Sequence, residues 1–378
     1  MSVAARPSGA SQASSGHPRQ ASGTAAATPA GTPVAGSETA ARKPRVRARG
    51  TRTALLLLTV AVLVLACAAS VAIGARPVPP GTVWAAFTAF DPANGDHAVV
   101  LSRVPRTVLG LLTGAALGLA GAAMQGVARN PLADPGILGV NAGAAFAVVL
   151  GIYIFGITNL TGYVWFALAG AALAAVVVYL VASLGREGAT PVKLALAGAA
   201  LSAGLMSLLS AVLVSSQQTL DTFRFWRVGS VSGRDWDTIT AVLPFLAVGA
   251  LVTLFAGRAL NGLSLGDDVA RGLGQRVGLS RGVTALGVVL LCGAATAAAG
   301  PIAFIGLVIP HVVRSFTGPD YRWILPFSML LAPALLVIAD VAGRVLLPPG
   351  EIPVGVTTAV IGAPVFIWLV RRRKLAEL

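Results

Sequence analysis

The chain has 378 residues, of which 56% are hydrophobic and only 11% are charged, and its mean hydropathy is +0.81. Soluble domains carry about 25% charged residues, so this composition excludes an ordinary soluble domain and indicates a polytopic membrane protein. The formal net charge of +14 is compatible with nucleic-acid binding, but the basic residues cluster beside apolar segments, where they set orientation and contact anionic lipid. We therefore expect membrane lipid, and no nucleic acid, as a partner.

The chain divides into two regions of different composition. Residues 1–52 are mainly Ala, Ser, Gly, Thr and Pro and end in a basic run. This segment has almost nothing to bury, which predicts a disordered basic tail. Residues 53–378 contain the apolar segments and predict one membrane domain.

The membrane domain contains ten apolar segments, most of them long enough to cross a hydrocarbon core of about 30 Å. The eighth is short, and Gly300-Pro301 at its entry could instead mark a re-entrant turn. Because Pro-broken backbone inside a bilayer must be covered by other helices, the sequence predicts an all-α bundle. The predicted spans are 53–74, 104–127, 138–155, 163–184, 194–215, 238–257, 282–299, 302–316, 323–343 and 354–370.

Basic residues predominate in every second connection, on the same side as the tail, which predicts that both termini are cytoplasmic. The opposite side has few of them. Snorkelling to headgroups explains a single arginine there. For Arg103, Arg106 and Arg344 we instead predict a wet interface that docks carboxylates of a partner protein, because they are retained where the orientation rule disfavours them.

The connection between Arg258 and Arg281 is polar. Asp267 and Asp268 are suited to the start of a short helix, and Gly272 and Gly274 to its end. The sequence therefore predicts a short helix along the inner surface. This helix is either a structured connector or, as we expect, a protruding contact element that binds in a cleft on a cytoplasmic protein.

Several patterns bear on the transport mechanism. No lysine precedes Ser or Thr, so the chain lacks a phosphate loop for ATP, and we expect no catalytic, cofactor or metal site. Asp340 is the clearest acid within a span, and its spacing to Arg344 predicts a local helical pair rather than a proton relay. Ser202, Met206 and Ser210 recur at helical spacing, and they line a translocation pathway or pack helices together.

Five motifs together resemble the FecCD-type permeases of ABC importers for ferric siderophores, haem and cobalamin. The resemblance extends from about residue 53 to the end of the chain. The motifs are RVPR at 103–106, NPLADPG at 130–136, LGDDVARGLG at 265–274, GPIAFIGLVIPHVVR at 300–314 and GEIPVGVTTAVIGAPVF at 350–366.

The resemblance implies a type II ABC importer permease with ten helices in the bacterial cytoplasmic membrane. It further implies a dimer of identical or related permease chains, two cytoplasmic ABC ATPases that hydrolyse ATP, and an extracytoplasmic substrate-binding protein. The permease itself is then not an enzyme. We expect ferric siderophores as substrates, with a cobalamin or haem importer as the alternative and an ion-coupled secondary transporter as a rival class.

The resemblance also carries residue roles. Arg103 and Arg106, with Arg344, would receive acidic residues of the binding protein. Thr190, Pro191 and Val192 fall where the cobalamin member has its cytoplasmic gate; that member has small hydroxylated residues there, so Pro191 and Val192 fit a siderophore permease better. The coupling helix for the ATPase would comprise Gly266, Asp267, Asp268, Ala270, Arg271, Gly272, Leu273 and Gly274.

The sequence also suggests an inverted repeat. Residues 130–146 and 348–366 share a Pro-rich break, a Gly-Val pair and a helix start with small residues, on opposite sides of the membrane. This predicts that spans two to five match spans seven to ten after a half-turn in the membrane plane.

Overall fold

The structure is a computed structural model that describes residues 49–74, 76–184, 189–348 and 350–374. The described residues belong to one compact unit, Pro44–Leu378. They form helices and connecting segments, and none of the described positions is a β-strand. The helices are α1 Arg49–Ala72, α2 Pro80–Thr88, α3 Gly95–Val127, α4 Val140–Phe155, α5 Leu160–Ser183, α6 Pro191–Ser215, α7 Gln217–Arg227, α8 Trp236–Phe255, α9 Gly257–Ser264, α10 Asp267–Gly272, α11 Val277–Ala299, α12 Ile305–Thr317, α13 Tyr321–Leu346 and α14 Val354–Lys374.

The all-helical fold class is confirmed, and the chain is a multi-pass membrane protein. By length and composition, seven of the described helices are able to cross a membrane: α1, α3, α5, α6, α8, α11 and α13. The third, eighth and tenth predicted spans correspond to α4, α12 and the start of α14, whose apolar parts are shorter. The count of ten spans therefore stays a prediction.

Several boundaries differ from the predicted ones. Residues 1–48 of the predicted tail, 1–52, lie outside the described residues. The last four residues of the predicted tail, 49–52, form the first turn of α1. Helix α3 begins at Gly95, well before the predicted residue 104, because Asn94 caps it by accepting a hydrogen bond from the Asp96 backbone N–H. Helices α2, α7 and α9 lie in segments that the sequence analysis left as connections.

Helix α3 forms the centre of the bundle and packs against α11, α12 and α13. Small residues allow this close approach, as in other membrane helix pairs. A Cβ added at Gly121 would collide with the backbone carbonyl of Gly306 in α12, and one added at Gly118 would lie 2.6 Å from the Ala332 Cβ in α13. The central helices therefore contact each other through backbone as well as side chains.

The packing repeats in a way that supports the inverted repeat. Helix α3 contacts α12 and α13, and α11 makes the corresponding contacts with α4 and α5. Helices α4 and α12 each follow a residue in the left-handed conformation, Gly139 with φ 72° and Phe304 with φ 69°. The breaks after span two and after span seven thus share a backbone conformation, and the motif pairing of 130–146 with 348–366 stays a prediction. Superposing the two groups of four spans tests the repeat itself.

The connections lie at two opposite ends of the bundle. The Arg106 end comprises the segments 73–74, 76–94, 156–159, 216–235, 300–304, 347–348 and 350–353, and the Asp267 end comprises 128–134, 189–190, 256–276 and 318–320. The distribution of basic residues predicts that the Arg106 end is outside the cell and the Asp267 end is in the cytoplasm.

Candidate functional site: an arginine cluster and a coupling helix

Arg106 lies in an ion-pair cluster at the Arg106 end. Its Nε and Nη2 donate to the two carboxylate oxygens of Asp340 at 2.9 and 2.8 Å, and its Nη1 donates to Glu351 at 2.7 Å. Arg344 completes the cluster with its Nη2 at 2.9 Å from a carboxylate oxygen of Asp340. The predicted Asp340–Arg344 pair is confirmed, and Asp340 additionally binds an arginine of α3.

Two arginines at this end, Arg103 and Arg344, also form hydrogen bonds with the C-terminal end of α1. Arg103 donates to the backbone carbonyls of Val71 and Ala72 at 2.9 and 3.0 Å. Arg344 donates to the backbone carbonyl and to the hydroxyl of Ser70 at 2.8 and 2.7 Å. Helices α1, α3 and α13 are therefore joined by charge-assisted hydrogen bonds, which are among the stronger ones in proteins.

The structure brings the three predicted docking arginines together at one end of the bundle. Arg103 and Arg344 are buried, and only 11% of the Arg106 side chain is exposed. Their donors are already engaged by this chain's own carbonyls and carboxylates. Their docking role stays a prediction.

A cavity of about 620 Å³ opens beside this cluster. Its lining contains two acids, Asp235 and Glu351, against five arginines, so its potential is positive and would attract acidic groups over a distance. The lining arginines are Arg76, Arg103, Arg106, Arg234 and Arg344.

At the opposite end, the predicted short helix is present as α10. Asp267 at its start accepts a hydrogen bond from Arg281 of α11 at 2.8 Å and lies 3.5 Å from Arg129, which follows α3. Ala270 is fully buried against the bundle. Asp268 has a 98% exposed side chain and pairs only with Arg271, so it contributes little to stability.

The other face of this segment is apolar and uncovered. Leu265, Val269 and Leu273 are 61%, 51% and 69% exposed. Val269 and the C-cap residue Leu273 lie one helical turn apart, whereas Leu265 precedes Gly266, whose φ of 105° breaks the chain away from α10. Three exposed large apolar side chains within nine residues, at a polar end of the bundle, are typical of a protein contact surface.

The two glycines at the end of α10 behave differently from each other. The sequence analysis has both ending the helix, but Gly272 is its last helical residue and only Gly274 has a positive φ, 80°. We expect Gly274→Ala to cost about 1–2 kcal/mol, the penalty for a side chain in the left-handed region. Gly272→Ala, which meets no atom within 4 Å, should be neutral or stabilising. Thermal unfolding of the two purified variants checks this, and equal midpoints would contradict it.

The predicted gate lies directly beside the α10 contacts. Arg281, which binds Asp267, also donates to the Ala189 carbonyl at 3.5 Å, the residue before the gate segment. Thr190 caps α6 by accepting from the Lys193 backbone N–H at 3.4 Å. The structure thus places one arginine between the coupling segment and the start of α6. The role of Arg281 was not predicted, because no local pattern near this α11 residue indicates that its partner is Asp267 of α10.

The predicted pathway residues lie on α6, whose surface is largely uncovered. Ser202 and Met206 are half-buried, and Ser210 is exposed and donates to the Met206 carbonyl at 2.8 Å. Few α6 residues are buried: Leu194, Gly198 and Leu209. The pathway role of the three residues stays a prediction, and their helix has a free face in the single chain.

A solved structure described as a metal-chelate type ABC transporter in an inward-facing conformation has the same fold, with a TM-score of 0.74, 28% identity, and coverage of 85% of this chain and 99% of that one. The chain belongs to the FecCD transport family, whose model matches residues 62–372.

Curated relatives agree with this assignment. The ferric enterobactin permease FepD of Escherichia coli is 48% identical over 81% of this chain and 91% of its own length. The siderophore transport permease YfiZ of Bacillus subtilis is 47% identical over 77% of this chain and 87% of its own, and the B. subtilis iron(3+)-hydroxamate permease FhuB is 43% identical over 81% and 79%. The chain is therefore the permease of an ABC transporter, a transport subunit in the membrane.

Proposed function

We propose that this chain moves ferric siderophores across the bacterial cytoplasmic membrane as the permease subunit of an ATP-driven importer. The observation that carries the proposal is the family match together with relatives named for enterobactin, hydroxamate and other siderophores. In this proposal both termini are cytoplasmic, and the Arg106 end receives substrate from an extracytoplasmic binding protein. The chain itself holds no cofactor, and ATP is hydrolysed by two partner subunits.

The Asp267 end supplies the contact for the ATPases in this proposal. Leu265, Val269 and Leu273 would enter a cleft on the ATPase, while Ala270 anchors α10 from behind. The uncovered face of α6, with Ser202, Met206 and Ser210 on the same helix, would face the second permease chain and the pathway between the two chains. Both assignments use surfaces that the single chain leaves open.

The chain's own contacts offer a route from the ATPase to the gate. Movement of α10 would pull on Asp267, which holds Arg281 at 2.8 Å, and Arg281 reaches the Ala189 carbonyl beside Thr190. Displacing this arginine would shift the start of α6, where Pro191 and Val192 lie. In this proposal the route converts ATP-driven closure of the partners into alternating access.

The experiment that tests the function is uptake of radiolabelled iron, supplied as several ferric siderophores, in iron-limited cells with and without this gene. Loss of uptake of one chelate supports the proposal and names the substrate. Unaffected iron uptake with impaired cobalamin or haem uptake would change the assigned substrate but not the transport mechanism. Uptake that collapses with an uncoupler but survives loss of the ATPase would replace the mechanism with an ion-coupled carrier.

The ATPase contact has its own test. Val269→Asp and Leu273→Asp each place a charge in the apolar face and should reduce co-purification of the ATPase at least fivefold, because an unpaired charge is expensive to bury. Ser315→Asp introduces the same charge at an exposed position of α12 at the same end of the bundle, outside the coupling helix, and is the matched control. Normal ATPase recovery with both aspartate variants would contradict the contact.

A further inference from the structure

Arg234 is a buried cation without a partner. It lies in the connection between α7 and α8 and is only 9% exposed. Its Nε has no hydrogen-bond partner, and no described residue forms a hydrogen bond or an ion pair with the rest of its guanidinium. Arg281 and Arg344 also have an unpartnered Nε, but each binds a carboxylate through a terminal nitrogen. Arg234 differs because no described carboxylate binds it directly, and Asp235 acts on its charge only over a distance.

A second unsatisfied donor lines the same cavity. The indole Nε1 of Trp226, at the end of α7, is buried without a partner, and the residue is 2% exposed. Trp226 and Arg234 both line a cavity of about 630 Å³ at the Arg106 end. Most buried polar atoms in native proteins are hydrogen-bonded. Two unsatisfied donors on residues that line one cavity therefore favour an acceptor there, which would reach these covered atoms after a small side-chain movement.

The remaining lining of this cavity adds hydroxyl groups and offers no free anion. Tyr163, Ser230 and Ser232 supply hydroxyls. The acid in the lining, Asp221, is paired with Arg224 at 3.1 Å. Asp235, next to Arg234 in the chain, instead caps α8 by accepting hydrogen bonds from Thr238 at 2.9 and 2.7 Å.

We propose that Arg234 and Trp226 form a binding site for a carboxylate group that reaches the protein from the Arg106 end. A planar guanidinium binds a carboxylate through parallel N–H···O bonds, and the indole N–H supplies a further donor. Burial lowers the pKa of Arg234, which reflects the cost of keeping this charge away from water, and a bound carboxylate offsets that cost.

This carboxylate site extends the proposed function. It rests on that proposal for the side of the membrane from which the ligand arrives and for the presence of a binding protein. A carboxylate has two possible sources there: a small free carboxylate such as the chelating group of a substrate, or an acidic side chain of the binding protein. Both would use the same donors. The docking arginines predicted from the sequence are already bound within the chain, whereas Arg234 is free to accept such a group.

The test measures binding rather than uptake, so it stands apart from the test of the proposed function. The permease, assembled with its partner subunits in lipid nanodiscs, is titrated with radiolabelled citrate as the probe. In parallel, the affinity of the binding protein for the same assemblies is measured without citrate. The variants are Arg234→Gln, which removes the charge, and Trp226→Phe, which removes the indole donor and keeps an aromatic ring.

We expect both variants to weaken citrate binding at least tenfold, or to weaken binding-protein affinity at least fivefold. The first result assigns the site to a free carboxylate, and the second to an acidic side chain of the binding protein. Arg227→Gln removes an exposed arginine of neighbouring α7 that does not line this cavity and should change neither affinity. If Arg234→Gln does not assemble, the same affinities are measured with Arg234→Lys, which keeps the charge but not the planar guanidinium, and with Trp226→Phe. The same losses of affinity are then expected of these two variants. Unchanged citrate and binding-protein affinities in the assembled variants would overturn the proposal.

Discussion

Replacing Asp340 by Asn should lower the free energy of unfolding by about 3–5 kcal/mol, the range for removing one partner from a buried ion pair. Asp340 is 3% exposed and is bound by Arg106 and Arg344. The amide keeps the shape of the carboxyl group but not its charge, so two closely spaced arginines would lose their shared counterion. The measurement is thermal unfolding of the purified permease in detergent.

The matched control is Glu351→Gln, which removes the second acid that binds Arg106. The Glu351 side chain is 35% exposed, so water screens the loss, and we expect a cost of about 1 kcal/mol or less. Equal unfolding midpoints for the two variants would show that the burial of Asp340 does not determine how much its ion pairs contribute to stability.

The same contacts change what charge reversal at the docking arginines would mean. Arg103→Glu would place a carboxylate against the carbonyls of Val71 and Ala72, and Arg106→Glu would place one against Asp340. Both should therefore reduce the amount of folded protein before any effect on docking is seen. Lost uptake in such variants is informative only when the folded fraction is measured beside it.

The second large effect concerns transmission between α10 and the gate. We expect Arg281→Gln to reduce transport at least tenfold while ATP hydrolysis by the assembled complex continues. The substitution removes the ion pair to Asp267 and weakens the contact with the Ala189 carbonyl. Parallel measurement of uptake and ATP hydrolysis in reconstituted vesicles separates this uncoupling from simple loss of the complex.

Two further variants sharpen this test. Arg276→Gln removes an exposed arginine just before α11 and should leave both activities unchanged. Arg281→Lys keeps both the charge that pairs with Asp267 and a donor for the Ala189 carbonyl, and we expect it to retain more transport than Arg281→Gln. Transport and hydrolysis that fall together in Arg281→Gln, with no recovery in Arg281→Lys, would point to a purely structural role.

Local signals predicted the helices that depend on local physics. Long apolar runs located the membrane helices, and two adjacent aspartates after Gly266 located α10. The early start of α3 was also readable, since Asn94 followed by Asp96 is a helix-start pattern. Ser216 likewise caps α7, and Phe223 and Trp226 are buried on one face of this helix, so its start and its apolar face were also readable.

The tertiary contacts of the site could not be predicted in the same way. The spacing of Asp340 and Arg344 predicted their pair because one turn of helix fixes it. The bonds from Arg106 to Asp340 join residues 234 positions apart, so they depend on how α3 lies against α13. The lack of a directly bound carboxylate at Arg234 is likewise visible only when the positions of all neighbouring described groups are known.

The backbone contact between Gly121 of α3 and Gly306 of α12 has a consequence for motion. Two helices that touch through main-chain atoms cannot slide past each other in small steps, because any side chain passing the contact would collide with it. We therefore expect α3, α12 and α13 to move as one rigid body. Conformational change would then be carried by peripheral helices such as α6, which few buried residues hold in place.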